Sequence, residues 1–133
     1  MAGLRFKNQA RFSVDLRKFD DLTKEQAAAL LRKVAFQLLG LIVTKTPVDT
    51  GRAQNNWQVS VDTGSREAVI AGKRSKAEIE AEALSALAFV KPFSTVLLYN
   101  NVEYIVFLEE GSSGQAPRGM VQISIQEVEN QFR

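Results

Sequence analysis

TKEQAAALLRKVAFQLLGLIVTKTP, residues 23–47, is the stretch on which the fold turns. Thr23 is followed three residues later by Gln26. That is the reciprocal capping pattern, in which the hydroxyl accepts from the third helical amide and the Gln side chain reaches back. Ala27, Leu30, Leu31, Val34, Leu38, Leu41 and Ile42 then recur at helical spacing on one face, with Lys24, Arg32, Lys33 and Gln37 mostly off it. Pro47 stops the pattern, because the residue before a proline avoids the helical region. The spacing predicts one long helix over 24–45 with an apolar side that other elements must cover.

Working outward, residues 11–19 alternate at Phe12, Val14 and Leu16, which predicts a strand with one wet face, while residues 1–10 read as irregular, weakly extended and flexible. Downstream, Pro47 and Gly51 mark a loop, after which Trp57, Val59 and Val61 alternate as a strand. Residues 62–65 read as a turn and 67–71 as a second strand, making a hairpin. Ser75 and Glu78 form a second capping box. It opens a helix over about 76–89 whose expected buried stripe is Ile79, Ala83, Leu84, Leu87 and Ala88, and Pro92 closes it. Residues 94–100 are β-rich, and residues 102–110 suit either a short helix or a strand. Residues 111–119 read as a flexible Gly- and Ser-rich loop. Met120, Val121, Ser124, Ile125, Val128 and Phe132 predict a terminal helix. Strands and helices do not alternate as βαβ units, so the expected class is α+β: a small antiparallel sheet packed against one long and one or two shorter helices.

The 133 residues fit a single domain. Hydrophobic residues at 45% and charged residues at 24% are the balance of a globular chain with a real core. No uninterrupted apolar run reaches the roughly 18 residues of a membrane span. The N-terminus lacks a secretory pattern, so synthesis in the cytoplasm is expected. Cysteine and histidine are both absent, which removes disulfides, thiolate nucleophiles, Cys/His metal sites and the imidazole base. Carboxylate, Lys, Tyr, Ser and Thr remain, and the commonest enzyme designs do not. A net charge of +2, with basic and acidic residues interspersed, reads as a mixed solvated surface rather than the basic stripe of a phosphate-binding protein.

Within this frame a few residues stand out. Asp49 suits an Asx-type turn, Gly51 a positive φ, and Arg52 a carboxylate partner; the competing reading is an anion site built from Arg52 and backbone amides. Glu109 and Glu110 are adjacent carboxylates, but neighbours on a regular element point apart, which disfavours paired acid–base or metal work. Trp57, Tyr99, Tyr104 and Phe107 have core spacing, with Tyr104 the best placed for exposure to a stacked base. Gln115 and Arg118 lie in the flexible loop, where a surface that orders on a partner is expected. No catalytic, cofactor or metal residue is assigned.

Three segments in order carry a family resemblance: Thr-Pro-Val-Asp-Thr-Gly-Arg at 46–52 with Trp57 after it; Tyr-Asn-Asn-Val-Glu-Tyr at 99–104; and Leu-Glu-Glu-Gly at 108–111 leading to Gln-Ala-Pro-Arg-Gly-Met-Val at 115–121. Over roughly 23–130 the chain resembles the neck and tail-completion proteins of long-tailed double-stranded DNA bacteriophages, with residues 75–91 matching least well. The resemblance implies a non-enzymatic virion protein, without cofactor, that assembles as a homo-oligomeric ring, a hexamer by the symmetry of the tail. Such a ring lies between a head-completion or stopper protein and the tail terminator or tail tube. DNA passes through it without specific binding, and no membrane is involved. Its surfaces would draw on Asp49, Arg52, Tyr104, Glu109, Glu110, Gln115 and Arg118. The alternative within the same resemblance is the tail terminator that caps the tube; a nucleic-acid-binding module is a more distant one.

Overall fold

The computed structural model describes residues 3–6, 23–48, 51–64, 70, 72, 74–102, 105–110 and 119–131. In chain order these form β1 (Gly3–Phe6), α1 (Lys24–Lys45), α2 (Arg52–Asn55), β2 (Trp57–Val61), α3 (Lys76–Leu87), β3 (Thr95–Asn100), α4 (Ile105–Glu109) and α5 (Val121–Asn130). The predicted strand at 11–19, most of the predicted strand at 67–71 and the loop at 111–118 lie outside the described residues.

Both ends of α1 are set locally. The Thr23 hydroxyl accepts from the Gln26 amide at 3.2 Å, and the Thr23 amide donates to Gln26 Oε1 at 2.9 Å. At the other end Thr46, in front of Pro47, takes an extended conformation. Its amide donates to the Val43 carbonyl at 3.2 Å and its hydroxyl to the Ile42 carbonyl at 2.6 Å, so two terminal carbonyls gain partners. The buried arc comprises Ala28, Leu31, Val34, Ala35, Leu38, Leu39, Ile42 and Val43. It is wider than the predicted stripe, and Ala27, Leu30 and Leu41 sit half-buried at its margin. The width follows from tertiary contact, since α3, α5 and β3 all pack on this one helix. By length and composition α1 is apolar enough to cross a membrane, yet here its apolar arc forms the core. Each fully buried leucine in it stabilises the fold by roughly 1.5–3 kcal/mol.

The sheet has the order β1–β3–β2. β2 and β3 pair antiparallel, with Trp57 opposite Asn100 and Val61 opposite Val96. β1 pairs parallel to β3, with Gly3 opposite Thr95 and Phe6 opposite Leu98. The α+β class therefore stands, but the sheet is mixed, and residues 3–6 form a strand where the sequence suggested weakly extended chain. The parallel edge is possible because a long stretch containing α1 separates β1 from β3, and parallel pairs require such a crossover.

Ser75 caps α3 as its sequence predicts: its hydroxyl accepts from the Glu78 amide at 3.1 Å, and its own amide donates to Glu78 Oε1 at 3.3 Å. Ile79, Ala83 and Leu87 are buried against α1 and β2. Leu84 and Ala88, expected in that stripe, point outward instead. Over 105–109 the ambiguous segment is helical despite Ile105 and Val106. The Asn100 side chain accepts from the Val102 amide at 3.0 Å, turning the chain, and the Ile105 amide closes onto the Val102 carbonyl at 3.1 Å. α5 buries Val121, Ser124, Ile125 and Val128, the predicted face.

Candidate functional site

The most distinctive sequence motif, 46–57, becomes a hydrogen-bonded junction between α1 and β2. Trp57 is buried, and its indole Nε1 donates to the Thr46 hydroxyl at 2.8 Å. Gln54 Nε2 donates to the Val43 carbonyl at 3.1 Å, a second donor to the carbonyl that already accepts from the Thr46 amide. Gly51 takes φ 77° to start α2, a short helix that the sequence reading missed. Arg52 is half-buried on α2, and Asp49 lies outside the described residues.

Three residues that the sequence did not single out tie this junction together. Asn56, fully buried, uses its amide group like a strand neighbour: Oδ1 accepts from the Ile70 amide at 2.6 Å, and Nδ2 donates to the Ile70 carbonyl at 3.2 Å. Asn55 Oδ1 accepts from the Arg74 amide at 2.9 Å and from Arg74 Nε at 3.1 Å. The Arg74 guanidinium also donates to the Asn55 and Trp57 carbonyls and to the Glu82 carboxylate. Arg74 thereby joins α2, β2 and α3 through its planar fork of donors. A signal was present in the adjacent Asn55-Asn56 ahead of a strand, but which residue returns to meet them is a long-range fact.

A cleft of about 720 Å³ opens between β2 and α3, lined by Trp57, Val59, Val61, Ala83, Ala86 and Phe89 among others, with Arg74 and Glu82 at its edge. Those two charges are bonded to each other, which leaves neither positioned as a free acid or base. Gln58 Nε2 and Ser60 Oγ, on the cleft wall, are buried without hydrogen-bond partners among the described residues.

The carboxylate pair separates as expected. Glu110 is exposed, whereas Glu109 turns to the start of α5. Its Oε1 accepts from the amides of Met120 at 3.0 Å and Val121 at 2.8 Å, and its Oε2 from Gln122 at 3.1 Å. Three of the orphan amides of α5 are thus satisfied by one distant carboxylate, which also meets the positive end of the helix dipole. Gly119 permits the approach: at φ 78° a Cβ there would stand 2.3 Å from the Glu109 carbonyl oxygen. Glu109 is therefore a staple that closes the chain between α4 and α5.

Two of the aromatic candidates are core. Trp57 and Tyr99 are each 3% exposed, and the Tyr99 hydroxyl donates to Gln58 Oε1 at 3.2 Å, so neither offers a stacking face. Tyr104, Gln115 and Arg118 lie outside the described residues, as does the side chain of Phe107. Exposed aromatics occur elsewhere, at the tip between α3 and β3, where Phe89 and Phe93 are 73% and 72% exposed. In the sequence they bracket Pro92 within a turn, an unusual place for two aromatics, but the reading assigned Phe89 to a helix end. Beside the tip Asp62, at φ 61°, donates its amide to the Thr95 carbonyl at 2.9 Å, and its Oδ1 accepts from the Thr95 amide at 2.7 Å. That amide and then the Ser94 hydroxyl hold the Asp62 carboxyl below its ordinary value; desolvation opposes them less strongly, and the Lys91 charge adds the smallest lowering effect.

Among the described residues no group of three acidic, histidine or cysteine side chains is placed to hold a metal ion. The site is an assembly of caps and staples around one core helix, with an aromatic tip and a cleft at the surface. No curated protein and no solved structure matches the chain. A family model described as "Bacteriophage HK97-gp10, putative tail-component" matches residues 10–111, most of the chain. That match spans α1, the capped junction, α3 and Glu109, and on it the protein belongs to this family of bacteriophage tail components.

Proposed function

We propose that the protein is a structural ring subunit of the phage neck, joining the head connector to the tail tube around the DNA channel. The family match over 10–111 carries this reading. The geometry agrees with it. Glu109, half of the one adjacent carboxylate pair weighed for chemistry, has both oxygens engaged by backbone amides. Arg74 and Glu82 at the cleft neutralise one another. A net charge of +2 suits a wall past which DNA slides, because strong phosphate binding would resist passage.

Quantitative mass spectrometry of purified particles, counting copies against the major tail protein, tests the proposal. About six or about twelve copies is the expected result for a closed ring of cyclic symmetry. Absence from the particle overturns the structural role. Gold labelling of a tagged copy then places the ring; a label at the head–tail joint is expected, and one on the tails of head-free particles would assign it to the tail terminator instead.

A further inference from the structure

A ring closes only if each subunit presents two different surfaces, one to each neighbour. The described residues carry two such surfaces at opposite ends of α1. At its N-terminal end lies the α3–β3 tip. Phe89 and Phe93 are 73% and 72% exposed, and Leu84 on α3 is 54% exposed. Lys24 Nζ sits 6.0 Å from the Phe93 ring centroid, and Lys91 lies exposed between the two aromatics. Asp62 is the acidic neighbour of Lys91, and its carboxylate is tied to the Thr95 amide.

At the C-terminal end of α1, about 32 Å away by helical rise, Lys45 pairs with Glu127 of α5 at 2.9 Å. The outer face of α5 is exposed at Gln126, Glu127, Glu129 and Asn130, with Ile123 half-buried beside Gln126 and Glu127 one turn on. α5 contains two carboxylates and no basic residue. One end of the subunit is thus aromatic with a cationic rim, and the other is an acidic amphipathic helix. Aromatic anchors surrounded by complementary charge are the composition of interface centres, and rings flanked by lysines on a carboxylate-bearing helix satisfy both terms.

We propose that neighbouring copies join head to tail, the Phe89–Phe93 tip of one seating on the outer face of α5 of the next, with Lys24 and Lys91 facing Glu127 and Glu129. This rests on the ring reading above and names the contact that builds the ring. It also accounts for two phenylalanines held in water on a tight turn, an arrangement that burial in the monomer does not reward.

The test is native mass spectrometry and light scattering of the full chain up to its highest soluble concentration. The wild type should assemble beyond the dimer into a closed ring. The double variant Phe89→Ser, Phe93→Ser should stay monomeric with an unchanged far-ultraviolet spectrum, since both side chains are exposed in the subunit. Lys91→Glu should weaken assembly by roughly tenfold, and adding Glu129→Lys to the same chain should restore it. A wild type that stays monomeric or stops at a dimer, a double phenylalanine variant that assembles like the wild type, or a charge exchange that restores nothing would each overturn the contact. Failure of this contact is separable from failure of the ring reading: copy number in particles tests the latter, and particles that take up the double variant at the wild-type copy number would refute the contact alone.

Discussion

Glu109 shows how much one side chain can settle. Its carboxylate serves three amides at the start of a helix that begins twelve residues further along the chain. Removing it leaves those amides to weak solvation at a partly covered helix end, so Glu109→Ala should lower unfolding free energy by about 2 kcal/mol. Glu109→Gln keeps an oxygen acceptor for the two shortest bonds and loses only the charge and the third, and should lose about half as much. Chemical denaturation of the three proteins checks the order Glu, Gln, Ala. Gly119→Ala attacks the same contact from the other side, through φ 78° and a 2.3 Å clash with the Glu109 carbonyl, and should destabilise by about 1–3 kcal/mol. Asp62 supplies a pH signature. Its folded carboxyl titrates below the ordinary value of 3.8. A depressed acid contributes stability that is present above its unfolded value and is lost as pH falls through its folded value. Asp62→Asn should therefore be the less stable protein at neutral pH, and the gap should narrow as the pH is lowered through and below 3.8. The side chain is exposed, so solvent screening keeps the difference small. A gap that widens in acid would contradict the assignment.

Among the elements, α1 illustrates both what local pattern controls and where it stops. Its two ends are where Thr23 and Pro47 put them, because capping and proline geometry act within a few residues. Gly40 within it is a residue that the helix itself does not favour. A Cβ at that position would meet nothing within 4 Å. Gly40→Ala should thus raise stability by about 0.5–1 kcal/mol, seen as a melting temperature higher by about 2–5 °C. A decrease would contradict the open space read beside Gly40. α3 shows the limit. Its caps were legible, but Leu84 and Ala88 share helical periodicity with the buried residues and lie in the open. Periodicity marks an apolar arc; which part of a wide arc is covered depends on the placement of α1 and β2.

At the scale of the whole molecule, one core joins α1, α3, α5 and the sheet, and Trp57 lies inside it. Trp57 is the single tryptophan. Its emission, reporting the α1–β2 junction, and the far-ultraviolet signal of the helices should change in one coincident transition. Separate midpoints would show that the chain is not one cooperative domain. The sequence by itself determined the α+β class, the capped helices α1 and α3, strands β2 and β3 and the face of α5, because these depend on interactions a few residues apart. It also carried the family resemblance through short motifs in order. Only the tertiary structure decided that β1 pairs parallel to β3, that Arg74 returns to Asn55, that Glu109 caps α5, and that Phe89 and Phe93 remain in water. Each of these brings together residues distant along the chain, and their meeting is set by how the elements pack around α1, a free-energy balance over the whole core that no local spacing encodes.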